Sequence, residues 1–243
     1  MAKRKKGKQF TRTPGEYLEL LSKELKEEIK ETEHTISSLD QGESETLRKA
    51  YNIRTDIVCW GIPMDEIMYA KFFSNFMQLM KMPWDSVITT ESTYLPDARN
   101  CIHNLFLETG DAPYLMMLDS DVLPPPHLVS TLLAHNKDIV GGWYRKKSRT
   151  NAHPVVYDFE REDEHGIFYK ARLEAGTGME KVDGMGAGCW LMSRELAEAL
   201  GKSPYSMDKA AEDFVICRKI SKLGYEMWVD WDLPCAHCGV TYV

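Results

Sequence analysis

No stretch of this 243-residue sequence is long and apolar enough to cross a bilayer; the longest apolar runs, such as Tyr114 to Leu118, fall far short. The first residues also lack the apolar core of a secretory signal, so a cytoplasmic protein without a transmembrane segment is expected. The six cysteines (59, 101, 189, 217, 235 and 238) are scattered rather than set in a compact framework, which suits buried free thiols in a reducing compartment. There is no excess of positive charge: the net charge of -7 excludes a wholly basic nucleic-acid-binding surface. No internal repeat is visible. Composition is otherwise that of a folded globular protein, with 43% hydrophobic and 10% aromatic residues, and the length fits one domain with an extension.

The charge is uneven. Lys3, Arg4, Lys5, Lys6 and Lys8 crowd the start, so residues 1–14 read as a flexible basic tail, with a polyanion-binding arm as the alternative. Residues 15–50 form a helical extension. Within it Leu18, Leu21, Leu25 and Ile29 recur three or four apart, giving an amphipathic helix over 16–39 that docks on the domain or pairs two subunits into a homo-oligomer. A polar break at Gln41–Ser44 separates it from the domain at 51–243.

In that domain strand-like and helix-like segments alternate. Strands are expected at Asp56–Ile62, Val87–Thr90, Tyr114–Leu118 and Asp138–Trp143, and helices at Asp65–Met80, Pro96–Glu108 and Pro125–Ala134. A hairpin (Pro154–Phe159 with Gly166–Leu173), a strand at Cys189–Met192, helices at Arg194–Leu200 and Ala211–Leu223 and a last short strand at Glu226–Val229 follow. This predicts an α/β fold with a mostly parallel central sheet flanked by helices, whose ligands gather at the carboxyl ends of the strands.

At one such end an apolar strand runs straight into Asp119-Ser120-Asp121. On an extended chain that spacing points both carboxylates the same way, and their repulsion is relieved by a cation such as Mg²⁺ or Mn²⁺, which prefers oxygen ligands and shares its shell with phosphates. Helix capping is the competing reading. Glu212-Asp213 opens another amphipathic segment, either as helix-capping anions or as a general base with a partner that orients it or the acceptor. His237, flanked by Cys235 and Cys238, follows the final expected strand and is placed to return as a third metal ligand; one Cys-x-x-Cys without a second pair is poor support for structural zinc.

The glycine-rich run Val182–Gly188 lacks the strand-to-helix context of a dinucleotide or P-loop motif. It would instead let backbone approach a ligand, with Trp190 offering a ring to a sugar or packing in the core. Arg99-Asn100, and Arg145, Lys146 and Lys147, are candidates to bring positive charge to a diphosphate, although solvated surface charge is the default for the lysines.

Taken in order, Ala98-Arg99-Asn100, Leu118-Asp119-Ser120-Asp121, Gly141-Gly142-Trp143-Tyr144, Gly186-Ala187-Gly188-Cys189, Glu212-Asp213-Phe214 and Leu223-Gly224-Tyr225 resemble the A-type glycosyltransferases (GT-A fold). The likeness covers roughly Asp56 to Gly239 and is to the family-2-like enzymes and their compact bacteriophage-encoded relatives. It implies a Mn²⁺- or Mg²⁺-dependent transfer from a nucleotide-sugar donor, a UDP-sugar first, to an acceptor hydroxyl. Asp121 and His237 would bind the metal, Asp119 the metal or the nucleotide, and Asp213 would be the base of an inverting reaction with Glu212 beside it. Pro63, Glu91, Arg99, Asn100, Asp119, Ser120, Arg145, Gly188 and Trp190 would line the nucleotide-sugar site. The usual base-binding acid after the second strand has no clear counterpart; Glu91 is nearest. The acceptor would then be a glycan, a protein or a hydroxymethylated base of viral DNA, the last reached through the basic tail. A nucleotidyltransferase and a noncatalytic sugar-binding protein are the rivals, the former without a glycine-rich phosphate loop near Ile62.

Overall fold

The computed structural model describes residues 56–91, 94–110, 112–148 and 152–238, all within the unit Arg54–Val243. The basic tail, the 16–39 helix and the oligomer contact expected from it lie outside the described residues.

Seven strands form the central sheet: β1 (Val58–Pro63), β2 (Ser86–Thr90), β3 (Tyr114–Leu118), β5 (Ile139–Trp143), β8 (Met179–Val182), β10 (Cys189–Ser193) and β11 (Met227–Pro234), in the order β2-β1-β3-β10-β5-β11-β8. Strand β1 pairs parallel with β2 and β3, β5 pairs parallel with β11, and β10 runs antiparallel between β3 and β5. Five strands therefore point one way, and only β10 and the edge strand β8 oppose them. The fold is a mixed α/β sheet, mostly parallel and flanked by helices, as the alternation of segments predicted.

Period-two alternation sends the side chains of β3 to both faces. Leu115 and Met117 join one apolar core with α2 (Leu95–Glu108), α4 (Arg194–Leu200) and α5 (Glu212–Lys222). Met116 and Leu118 join the other, with α1 (Ala70–Gln78) and α3 (Leu128–Ala134). All four are fully buried, each contributing on the order of 2 kcal/mol of transfer free energy. Gly61 lets α2 sit close on β1, since a Cβ there would run into Ile102.

Several boundaries depart from the sequence reading, and the hairpin strands fall at Val156–Asp163 and Gly166–Ala171 rather than Pro154–Phe159 and Gly166–Leu173. The helix expected over Asp65–Met80 is confined to Ala70–Gln78; Ile67, expected on its apolar face, stands 85% exposed. The next helix starts at Leu128 rather than Pro125, because each proline pushes its predecessor out of the helical region and three occur in a row from Pro124. The last strand expected at Glu226–Val229 continues to Pro234, since Val229, Trp231 and Leu233 all find core to pack against. That extension carries the chain into β12 (Ala236–His237), which pairs antiparallel with β4 (Val122–Leu123) and seats His237 opposite Val122, beside Asp121. A smaller sheet, β7-β6-β9, is built from the hairpin β6 (Val156–Asp163) and β7 (Gly166–Ala171) together with β9 (Gly184–Met185).

Candidate active site

The carboxyl ends of β1, β2, β3 and β5 share one edge, and the residues before antiparallel β10 arrive at the same edge. Asp119 follows β3, and its backbone N–H donates to Gly188 O at 2.9 Å. The chain then turns, with Val122 N–H donating to Asp119 O at 3.0 Å. The turn ends the strand alternation, so the two aspartates do not share a face as the sequence spacing suggested. Asp119 looks toward α2 and α5, and Asp121 toward β12 and the segment after β5.

On the first side a buried guanidinium organises three carboxylates. Arg99 is 1% exposed. Its Nη2 donates to both Asp119 oxygens at 2.9 Å, and its Nη1 to Glu212 Oε1 at 2.7 Å and Asp213 Oδ1 at 2.9 Å. Burial alone would drive the guanidinium toward neutrality, but Asp119, Asp213 and Glu212 outweigh it and hold the charge firmly. Arg99 is thus not free to meet a diphosphate, which corrects that expectation.

Asp213 lies in the first turn of α5. Burial pushes its carboxyl up to about 6; the Arg99 charge opposes this, while Glu212 and Asp119 add to it. Its Oδ1 also accepts from Ala187 N–H at 3.2 Å, which turns the glycine loop toward it. Both of its hydrogen bonds among the described residues fall on Oδ1, so Oδ2 carries none. Tyr144, the residue after β5, closes the cluster. Its hydroxyl accepts from Gly188 N–H at 3.1 Å, and burial together with Asp119 and Asp213 keeps it protonated. At Gly188 a Cβ would overlap Asp119 Oδ2 and lie 2.6 Å from the Tyr144 oxygen, so the glycine is required by close approach.

On the second side Asp121 Oδ1 faces His237 Nε2 at 3.3 Å, and Asp121 Oδ2 is ion-paired with Lys147. His237 Nδ1 is 2.8 Å from Arg145 O. A carbonyl only accepts, so Nδ1 carries the proton; Nε2 then either pairs with Asp121 as an imidazolium or presents a lone pair beside the carboxylate. That arrangement of a carboxylate oxygen and a backbone-fixed imidazole fits a divalent ion that takes its remaining ligands from phosphate and water. Asp119 remains on Arg99, and no three His, Cys, Asp or Glu side chains among the described residues converge as a metal cage. Of the three expected ligands, the structure brings Asp121 and His237 together and holds Asp119 apart on Arg99.

The other candidates divide. Pro63 pairs in register with Thr90, so Pro63 and the exposed Glu91 border the same edge. Ser120 sits half-buried in the turn between the aspartates, and Arg145 is exposed, its Nη1 donating to Ala152 O at 2.7 Å. Asn100 is a latch: its amide both donates to and accepts from the Tyr205 backbone at 2.8 Å, which corrects its assignment to the donor site. Trp190 is fully buried in the core, so its ring has no face to offer a sugar. Cys235 meets Cys189, Sγ to Sγ, at 3.6 Å; all six cysteines are free thiols. A cavity of ≈ 280 Å³ along the second half of α5, bordered by Arg218 and Lys222, includes none of the site carboxylates.

Sequence reasoning missed Tyr144 as a functional residue and Arg99 as the buried centre. The signal for Arg99 was present: it shares a helical stripe with Ile102, His103 and Phe106, three, four and seven residues on, all of them buried.

Among solved structures the fold is similar to the A197 protein from STIV, 19% identical, with TM-score 0.55, covering 76% of this chain and 87% of that one. It is also similar to GalNAc-T7 crystallised with UDP, GalNAc and Mn²⁺, 11% identical, with TM-score 0.51, covering 75% of this chain and 43% of that chain. At these identities the likeness concerns the fold. No protein-family model and no curated protein sequence matches the chain.

Proposed function

We propose that the chain is a metal-dependent glycosyltransferase that moves a sugar from a uridine-diphosphate donor to an acceptor hydroxyl with inversion. The observation that carries the reading is the pairing, at one sheet edge, of a cation corner (Asp121, His237) with a raised, half-shielded carboxyl (Asp213) held across Arg99 from Asp119. The GT-A-like fold and the UDP and Mn²⁺ of GalNAc-T7 support the donor and metal classes.

Asp213 Oδ2 takes the proton of the acceptor hydroxyl as its oxygen attacks the anomeric carbon. A general base with a value near 6 is largely ionised at neutral pH yet still basic enough to accept that proton. Glu212 holds Arg99, and Arg99 fixes the separation between the base and the Asp119 turn. Gly188 and Tyr144 keep the acceptor-side loop against Asp119. A divalent ion bound by Asp121 and His237 would supply charge to offset that growing on the departing diphosphate. Pro63 and Glu91 border the nucleoside end, with Ser120 and Arg145 toward the diphosphate.

The test is turnover of a panel of nucleotide sugars with Mn²⁺ by the full chain, compared with Asp121→Ala and Asp213→Asn. Wild-type hydrolysis or transfer that both substitutions abolish is the expected result. Background turnover unchanged in both variants would remove the assignment.

A further inference from the structure

The cation corner already contains a cation. Lys147 reaches Asp121 Oδ2 from the segment that leaves β5, the same segment whose Arg145 carbonyl fixes His237 Nδ1. One short stretch of chain thus sets both donors. The Lys147 and Asp121 side chains are 33% and 26% exposed, so the pair is reachable by solvent and exchangeable, unlike the Arg99 cluster. The Lys147 ammonium also lies 5.6 Å from the centre of the Tyr69 ring, itself 49% exposed, which gives it a second, weaker resting place once it leaves the carboxylate.

We propose that Lys147 is a tethered counter-cation: it pairs with Asp121 Oδ2 when no metal is bound, gives up that oxygen to a divalent ion, and then pairs with the diphosphate of the donor. The proposal rests on the metal-dependent reading above. Its physical basis is competition: an ammonium and a divalent ion require the same carboxylate oxygen and repel each other, so Lys147 opposes the metal alone. A diphosphate brings negative charge that restores a partner to the displaced lysine, so Lys147 favours the metal and nucleotide together. Lys147 is a positioning residue whose effect changes sign with the ligand present.

The experiment is calorimetric titration of the full chain with Mn²⁺ alone, then with UDP at saturating Mn²⁺, for wild type, Lys147→Met, Lys147→Arg and Asp121→Ala. Removing the charge in Lys147→Met should tighten Mn²⁺ binding about fivefold, the scale of a partly exposed ion pair, and weaken UDP binding by a similar factor. Lys147→Arg, which keeps the charge, should follow wild type in direction for both ligands and guards against a purely structural effect. Mn²⁺ binding by Lys147→Met that is equal to or weaker than wild type would overturn the proposal and leave the metal reading standing. Failure of wild type to bind Mn²⁺, with or without UDP, would overturn both. Unchanged Mn²⁺ affinity in Asp121→Ala would also overturn both, by placing the ion elsewhere.

Discussion

The two halves of the site use the same residue types under opposite conditions. Around Arg99 three carboxylates, 12% to 22% exposed in their side chains, converge on a guanidinium that is only 2% exposed. Around Asp121 the carboxylate, imidazole and ammonium stand 18% to 33% exposed, tied down by a pair of two-residue strands. The first half is built around a buried cation that fixes distances; the second has its cation, Lys147, at the rim. Their protons behave in opposite senses as well. Asp213 is raised and Asp121 lowered, although burial pushes both upward, because Asp121 has the bonds from His237 and Lys147 to itself while Asp213 shares one guanidinium with two other acids.

The largest effect should come from cutting the buried half at its centre. Arg99→Met leaves three carboxylates facing one another without a counter-charge and should cost roughly 3–5 kcal/mol of unfolding free energy, read from chemical denaturation. A loss below about 1 kcal/mol, the range of an exposed pair, would mean the cluster is no more rigid than the rim. Asp213→Asn tests chemistry on the same scaffold. It should lower transfer by about 10²–10⁴-fold while nucleotide binding is retained. Gly188→Ala places a methyl group against Asp119 and Tyr144 and should destabilise the fold by about 1–3 kcal/mol; an unchanged melting midpoint would show that the loop is free to move.

The pH responses sharpen the contrast. Asp213 is raised when folded, so its contribution to stability is present below the unfolded carboxylate value of about 4 and is lost as pH rises through about 6. Over that same rise the rate of transfer should climb as the base ionises. Asp121 is lowered when folded, so its contribution is present above the unfolded value and is lost as pH falls toward the folded one. Glu212→Gln removes a charge that raises Asp213 and should shift the rising limb of the pH–rate profile to lower pH. A limb that stays in place or moves up would separate Asp213 from the titrating group. Smallest of all, His237→Ala should cost about 1 kcal/mol of stability, since it removes a partly exposed pair with Asp121 and a bond to the Arg145 carbonyl at the rim, while weakening Mn²⁺ binding.

Much of the fold was legible because the signals that dictate it are local. The apolar run Tyr114–Leu118 can only be a buried strand, and the alternation with helices implied the parallel sheet and the edge where Asp119 and Asp121 emerge. The glycines at 186 and 188 marked the close approach, though not that Tyr144 and Asp119 are what they approach. What escaped depends on contacts distant in sequence or on turns. Strands β4 and β12 are two residues each, too short for any periodicity, yet their pairing is what brings His237 to Asp121. Spacing suggested that both aspartates share a face, but Asp-Ser-Asp is also turn-forming chemistry, and the turn won. Arg99 and Asn100 read as charge and polarity available to a ligand; their partners lie from 20 to 114 residues away in the chain, where no local pattern reaches. Trp190 was open between platform and core, and its place in the fourth strand of a seven-stranded sheet settled it as core.

The central claim separates binding at the rim from chemistry in the core, and native mass spectrometry of the full chain with Mn²⁺ and a panel of nucleotide sugars tests that separation directly. The expected result is a retained complex of protein, Mn²⁺ and a uridine-diphosphate sugar in wild type and in Asp213→Asn, lost in Asp121→Ala and His237→Ala. A complex that survives in Asp121→Ala and His237→Ala, or one that disappears in Asp213→Asn while those two keep it, would contradict the assignment of the two halves.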